Sequence, residues 1–274
     1  MENADKMLKW SEELKAEMKD LPFDKDDIRF DFFGLLYDIG YSYYLGHMLL
    51  DITYFIQNGK VMFNESLSDY KKHIDRAVEI SKSQLMNQSY YNSLNRNFLI
   101  GTWSNFELCV TTFCEAVTST EEKSHILEHQ LNDVLKTLKR TEINPDDLIR
   151  LKTLLKKDHL THVPIVRKTD LLFKKAQGYS RNVEEDKEFL KFLGKFRNTF
   201  HTNFIYYGKD YEYRYEDKAV FHFADNEVVV WNDKYNGRPE LYFDIKTTIK
   251  EIWKALILSI DHKELIPYPV SSAP

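Results

Sequence analysis

Apolar residues recur at spacings of three and four along nearly the whole 274-residue chain, and one stretch alone departs from that period. Such spacing lays apolar side chains along one face of a helix, so the chain is constrained to a mainly α fold. The pattern predicts helices near 3–20, 27–57, 67–87, 90–118, 121–140, 145–157, 168–177, 184–203 and 246–262. Two segments carry helix-start chemistry. Asn144-Pro145-Asp146-Asp147 offers a capping amide, a first-turn proline and acids facing the positive end of the helix dipole. Ser119-Thr120-Glu121-Glu122 does the same with hydroxyls and acids. Nine glycines and seven prolines leave too few turns for a loop-rich sandwich.

The exception runs from Phe204 to Phe243, where the period falls to about two. Tyr211, Tyr213 and Tyr215 alternate with Glu212 and Arg214. Val220–Phe223 and Val228–Trp231 then flank the turn-forming run Ala224-Asp225-Asn226-Glu227. This predicts a β-hairpin. A further short strand is expected near Leu241–Phe243, after the Asn236-Gly237 turn. The expected fold is therefore a mainly α domain with a small antiparallel β-hairpin inserted before the last helix. The weakest internal boundary falls near 58–66 or 87–90. Residues 1–88 read as an N-terminal helical extension, and 89–274 as the main domain with its β insertion near 205–244.

Composition narrows the class. The most apolar stretch, Phe32 to Ile56, contains Asp38, His47 and Asp51, and mid-span carboxylates are costly in lipid, so no membrane span is expected. Cys109 and Cys114 lie five apart in an apolar run, too few for a structural zinc site, and read as buried small hydrophobes. Without a disulfide framework or a basic, apolar leader in MENADKMLKW, a cytoplasmic location is expected. The net charge is −5, so nucleic-acid binding would need a local basic patch. Between Arg150 and Lys175 stand eight basic residues, among them Arg167 and Lys168, against Asp158 and Asp170 alone. Such a run is either a solvated face or a phosphate-binding surface.

Three constellations could carry chemistry. His125-Ile126-Leu127-Glu128-His129 fits the spacing of inverted zinc peptidases, but no third ligand or peptidase fold is legible, and a polar helix face is the expected reading. His159 and His162 stand beside lysines with no cysteine or carboxylate cluster, and neither metal nor cofactor is expected. The third segment is Phe189 to Asn203. Phe189, Leu193, Phe196, Phe200 and Phe204 form one apolar stripe, and Leu190, Gly194, Arg197 and His201 run beside it. Arg197 and His201 are thus neighbours one turn apart. Together they supply what RNA cleavage needs without a metal. A histidine can move a proton to or from a ribose oxygen, and an arginine can hold the phosphate through the transition state. A cationic side chain near a helix C-terminus also favours the dipole and need do nothing more.

The run Phe196-Arg197-Asn198-Thr199-Phe200-His201-Thr202-Asn203, leading into Phe204-Ile205-Tyr206-Tyr207-Gly208, resembles the motif helix of the HEPN superfamily (higher eukaryotes and prokaryotes nucleotide-binding). The likeness is to bacterial members in which Arg-Asn…His precedes a short β insertion. Phe98 to Glu107 is similar to the family's first core helix, and Val163 to Phe173 to the intervening region, so the resemblance covers about 90–262. It implies an up-and-down helical bundle that dimerises through its motif helices, bringing two Arg/His pairs into one cleft. Many members are metal-independent endoribonucleases in defence or toxin–antitoxin settings. Others bind RNA, a nucleotide or a partner protein without cleaving. By the same resemblance Arg197 stabilises the phosphate, Asn198 is the polar residue after it, His201 is the acid/base, and Glu107 is the inward polar residue of the first helix. RNA and an antitoxin-like protein are the implied partners, with Arg167 and Lys168 on the adjoining basic segment. Three residues separate Arg197 from His201 where the family usually has about four to six, a difference that turns the histidine by roughly 100° per residue omitted.

Overall fold

Among the described residues, seven helices and five short strands carry the expected periods into three dimensions. The computed structural model describes residues 2–59, 75–76, 79, 84–137, 145–146, 163–235 and 240–269. The helices are α1 (Glu2–Met18), α2 (Ile28–Gln57), α3 (Gln84–Val117), α4 (Thr120–Thr137), α5 (Ile165–Lys175), α6 (Val183–Thr199) and α7 (Glu240–Ser259). Their starts follow local chemistry. At α4 the Ser119 backbone N–H donates to the Glu122 carboxylate at 2.8 Å, and the Glu122 N–H donates back to the Ser119 hydroxyl at 3.3 Å. That reciprocal pair satisfies two backbone donors the helix leaves open. At α6 the Asn182 side-chain oxygen accepts from the N–H groups of Glu184 and Glu185.

Three boundaries differ from the periodicity. α3 runs unbroken from Gln84 through positions 87–90, where the pattern separates two helices. The polar run there contains no proline or glycine, so nothing interrupts the backbone ladder. The strand expected at Leu241–Phe243 is the first turn of α7. Leu241, Ile245, Ile249, Ile252 and Leu256 are all buried at helical spacing, and that longer stripe decides the conformation. The helix expected to reach 203 ends at Thr199 and tightens into a 3₁₀ turn over Phe200–Thr202. Most of the helix expected at 67–87, most of that at 145–157, and the Asn236-Gly237 turn lie outside the described residues.

The chain forms two compact units, with boundaries inside α2, α3, α6 and α7. One comprises residues 1–22, 33–105 and 195–248; the other, residues 23–32, 106–194 and 249–274. These units interleave in sequence.

In the first unit Tyr43 of α2 stacks on Phe98 of α3 at 4.5 Å between ring centroids, packed with Ile39, Leu94 and Phe243. The unit also holds β1 (Ile205–Tyr206), β2 (Tyr211–Tyr215), β3 (Ala219–Phe223), β4 (Glu227–Val228) and β5 (Val230–Asp233). β2, β3 and β5 form an antiparallel sheet in that order, and β1 pairs with β4. The pairing of β3 with β5 sets Phe221 opposite Trp231 across the expected turn. A second pairing joins β2 to β3, with Tyr211 opposite Phe223 and Tyr213 opposite Phe221. One face of this sheet packs on the end of α6, where the Phe196 ring lies 5.3 Å from Phe221, 5.6 Å from Trp231 and 5.0 Å from Phe200.

In the second unit Trp253 of α7 gathers Phe32, Phe106 and Phe113 at 5.4, 6.3 and 5.7 Å. Beside them the buried Arg29 guanidinium binds the Asp27 carboxylate through Nε and Nη2 and donates to the carbonyls of His262 and Glu264. Burial alone would raise the Asp27 carboxyl, but the hydrogen bonds from Arg29 and Ile266 outweigh it and hold the carboxyl below its usual range. Cys109 and Cys114 are buried free thiols in this unit. Burial pushes both thiols up, away from reactive thiolate. Among the described residues no helix is long and apolar enough to cross a membrane.

Candidate functional site

Arg197, Asn198 and His201 lie together where α6 gives way to the 3₁₀ turn. Phe189, Leu193, Phe196 and Phe200 are buried, which fixes the rotation of the helix and sets the neighbouring row on its rim. Arg197 is half-buried, while Asn198 and His201 are exposed. The Arg197 guanidinium donates from Nη1 to the Asn198 side-chain oxygen at 3.2 Å. Its Nε–H is buried and meets no acceptor among the described residues. A 3₁₀ turn advances roughly 20° more per residue than an α-helix, so His201 swings further round the axis than four helical steps from Arg197 would carry it.

The backbone after the turn is held in an unusual shape. Asn203 and Phe204 both adopt left-handed conformations, φ 52° and 67°, and the Phe204 N–H reaches back to the Thr199 carbonyl at 2.7 Å. Asparagine tolerates that region, whereas phenylalanine is strained in it. Rings at 5.1 Å (Phe200) and 6.3 Å (Trp231) hold Phe204 in place. The reversal sends the chain into β1 and carries Tyr206 and Tyr207 back alongside α6.

A cleft of about 360 Å³ opens there, lined by Lys195, Asn198, Thr199, Thr202, Ile205, Tyr206 and Tyr207. Its wall is rigid. The buried Tyr206 hydroxyl accepts from Lys195 Nζ at 2.7 Å and donates to the Lys209 carbonyl at 3.1 Å. A side chain at Gly208, whose φ is 154°, would put its Cβ 2.7 Å from that hydroxyl, so only glycine allows the close approach. The Gly208 N–H is pinned to the Asp225 carboxylate at 2.9 Å. Tyr207, by contrast, is 62 % exposed. Sequence reasoning set the tyrosines of this segment beside the motif but passed over Lys195, Thr199 and Thr202. Their spacing of four and three, a polar stripe that runs from α6 into the 3₁₀ turn, is the signal the sequence carries.

Glu107, Arg167 and Lys168 belong to the second unit. Lys168 is not part of a solvated face: it is 1 % exposed, and its Nζ donates to the Thr111 hydroxyl at 2.7 Å. Burial lowers its pKa, opposed chiefly by the charge of Glu107. So the structure brings Glu107 and Lys168 into electrostatic reach of each other. Arg167 lines a groove of about 560 Å³ between α4 and α5, with Glu121, Glu122, His125, Asp170 and Lys174. Lys175 pairs with Glu122 at 2.8 Å. The rest of the basic run, residues 150–162, lies outside the described residues, as do His159 and His162. Among the described residues no three or more His, Cys, Asp or Glu side chains cluster as metal ligands would. Compared with family models, with curated proteins and with solved structures, the chain matches none.

Proposed function

We propose that the protein is a metal-independent endoribonuclease of HEPN type, working through Arg197 and His201 in a cleft shared by two copies of the chain folded as up-and-down bundles. The observation that supports this reading most is the buried Arg197 Nε–H with no acceptor among the described residues. An unmatched buried donor costs about 1–3 kcal/mol, and drawing the guanidinium outward onto a phosphate would remove that cost. Asn198 steadies the guanidinium from its Nη1 side, and the exposed His201 stands clear to meet substrate.

In the reaction, a 2′-hydroxyl oxygen attacks the adjacent phosphorus as its proton passes to the imidazole of one His201. The bond from phosphorus to the 5′-oxygen breaks, and that oxygen takes a proton from the His201 imidazolium of the second copy. Arg197 neutralises the charge on the non-bridging oxygens of the transition state. The products are a 2′,3′-cyclic phosphate and a 5′-hydroxyl. A toxin–antitoxin or defence role, with an antitoxin-like protein covering the cleft, is the corresponding setting.

The test is cleavage of RNA by the purified full chain in EDTA, with Arg197→Ala and His201→Ala alongside. Cleavage that persists in chelator, leaves cyclic phosphate ends and falls by at least about 100-fold in each variant is the expected result. Activity surviving both substitutions would overturn it. A second reading, RNA or nucleotide binding without cleavage, draws support from the 360 Å³ cleft, whose lining offers binding groups but does not include His201. Tight RNA binding with no cleavage would favour it.

A further inference from the structure

We propose that the cleft beside α6 is a nucleobase subsite in which Tyr207 stacks on a base of single-stranded RNA while Asn198 and Lys195 engage the same nucleotide. The inference rests on RNA being the ligand of the Arg197/His201 site and adds the part of the substrate that the site grips.

Four observations carry it. First, the cleft has the size of a small ligand site, about 360 Å³. Second, the threonines in its lining have no hydroxyl hydrogen to spare. The Thr199 hydroxyl donates to the Phe196 carbonyl, and the Thr202 hydroxyl to the carbonyls of Thr199 and Ile205, so both hydrogens are already engaged. Third, the donors stand at the rim. Asn198 accepts from Arg197 through its side-chain oxygen, which fixes the amide orientation and leaves its NH₂ without a partner among the described residues. That group can donate to an acceptor on a base edge. Lys195 uses one of its three hydrogens on Tyr206, and its ammonium also lies 5.0 and 5.1 Å from the Tyr206 and Tyr211 ring centroids, so the charge is held at a fixed place. A phosphate has a defined cation to meet there. Fourth, Tyr207 leaves 62 % of its surface to solvent next to a backbone pinned at Gly208. An exposed aromatic on a hydrogen-bonded loop is the element that single-stranded RNA recognition uses for stacking.

The chemistry favours a nucleotide over a peptide. A flat aromatic, an amide donor and one cation match base and phosphate together, whereas the lining carries no carboxylate to meet a peptide's amine or basic side chains.

The experiment uses the full chain carrying His201→Ala, so that RNA is bound without being cut, and reads fluorescence anisotropy of an end-labelled single-stranded RNA about ten nucleotides long. In that background Tyr207→Ala weakens binding about 5- to 100-fold, and Tyr207→Trp retains it. Asn198→Asp, which exchanges the amide donors for acceptors, changes which homopolymer binds best. Circular dichroism checks that each variant is folded. Equal affinity of the Tyr207→Ala protein and its parent overturns the subsite. In the otherwise native chain, cleavage that depends on Arg197 and His201 but shows an unchanged KM in Tyr207→Ala removes the subsite and leaves the ribonuclease reading standing. Tyr207-dependent binding by a chain that never cleaves does the reverse. No RNA binding at all overturns both.

Discussion

Lys246 stands on the apolar face of α7, wholly buried, with its Nζ making no hydrogen bond among the described residues. The ammonium lies 3.2 Å from the centroid of the Trp10 ring, with Phe98 and Phe243 at 5.0 and 5.7 Å. Gly40 makes the room, since a Cβ there would stand 2.5 Å from Nζ. A desolvated cation–π contact contributes about 2 kcal/mol, well short of the cost of burying an unpaired ammonium. Burial accordingly takes the pKa well below the usual 10.5. The unfolded chain then binds a proton at Lys246 that the folded protein does not, so stability rises with pH from the lowered value up to about 10.5 and is level above it. Lys246→Met is expected to stabilise the protein by about 1–3 kcal/mol near neutral pH and to flatten that rise. Thermal denaturation of both proteins at pH 7 and pH 10 checks it; a destabilised variant would show that the ring contacts outweigh desolvation. Neither this burial nor that of Lys168 was legible beforehand, because lysines are seldom buried and a charge in a sequence says nothing of which face its helix turns inward.

At the scale of elements, the end of α6 shows how local and non-local forces divide the work. The phenylalanine stripe announced which face of the helix is buried, and the alternating tyrosines announced strands. Where the helix stops was less visible. It stops because Asn203 and Phe204 turn left-handed, and only the ring cluster of Phe200, Phe204 and Trp231 makes that tolerable for a phenylalanine. Asn203→Gly should therefore leave stability within a few tenths of a kcal/mol, while Asn203→Val, β-branched in a left-handed site, should cost about 1–2 kcal/mol. Urea unfolding of the two variants distinguishes a required left-handed residue from a merely polar one. Equal stability of both would mean the reversal does not depend on this position.

The whole molecule matters because one chain offers one Arg197 and one His201, whereas the proposed reaction needs two protonic roles around a single phosphate. The protein is therefore expected to scatter light as twice the chain mass, and its cleavage rate per chain to fall on dilution below the dimer dissociation constant. A monomer with full, dilution-independent activity would replace the shared cleft with a site inside one chain. The pairing of Arg197 with His201 one turn apart is readable from the sequence, yet the cleft beside it is not. Lys195 and Asn198 reach it from a helix and Tyr206 and Tyr207 from a strand and loop, and only the chain reversal at 203–204 sets them side by side.

What the amino-acid order determined alone is whatever a few consecutive residues can settle among themselves. The mainly α character, the caps at Ser119 and Asn182, the buried stripe of α6 and the two-residue period of β2 and β3 all arise from contacts within about four positions or from strict alternation. The tertiary structure decided the rest. It ran α3 straight through 87–90, began α7 at Glu240 where a strand was expected, buried Lys168 and Lys246, and closed the cleft around Tyr206. Each of these depends on which distant side chains meet a given face, and burial against such neighbours outweighs the fraction of a kcal/mol that separates one local conformation from another.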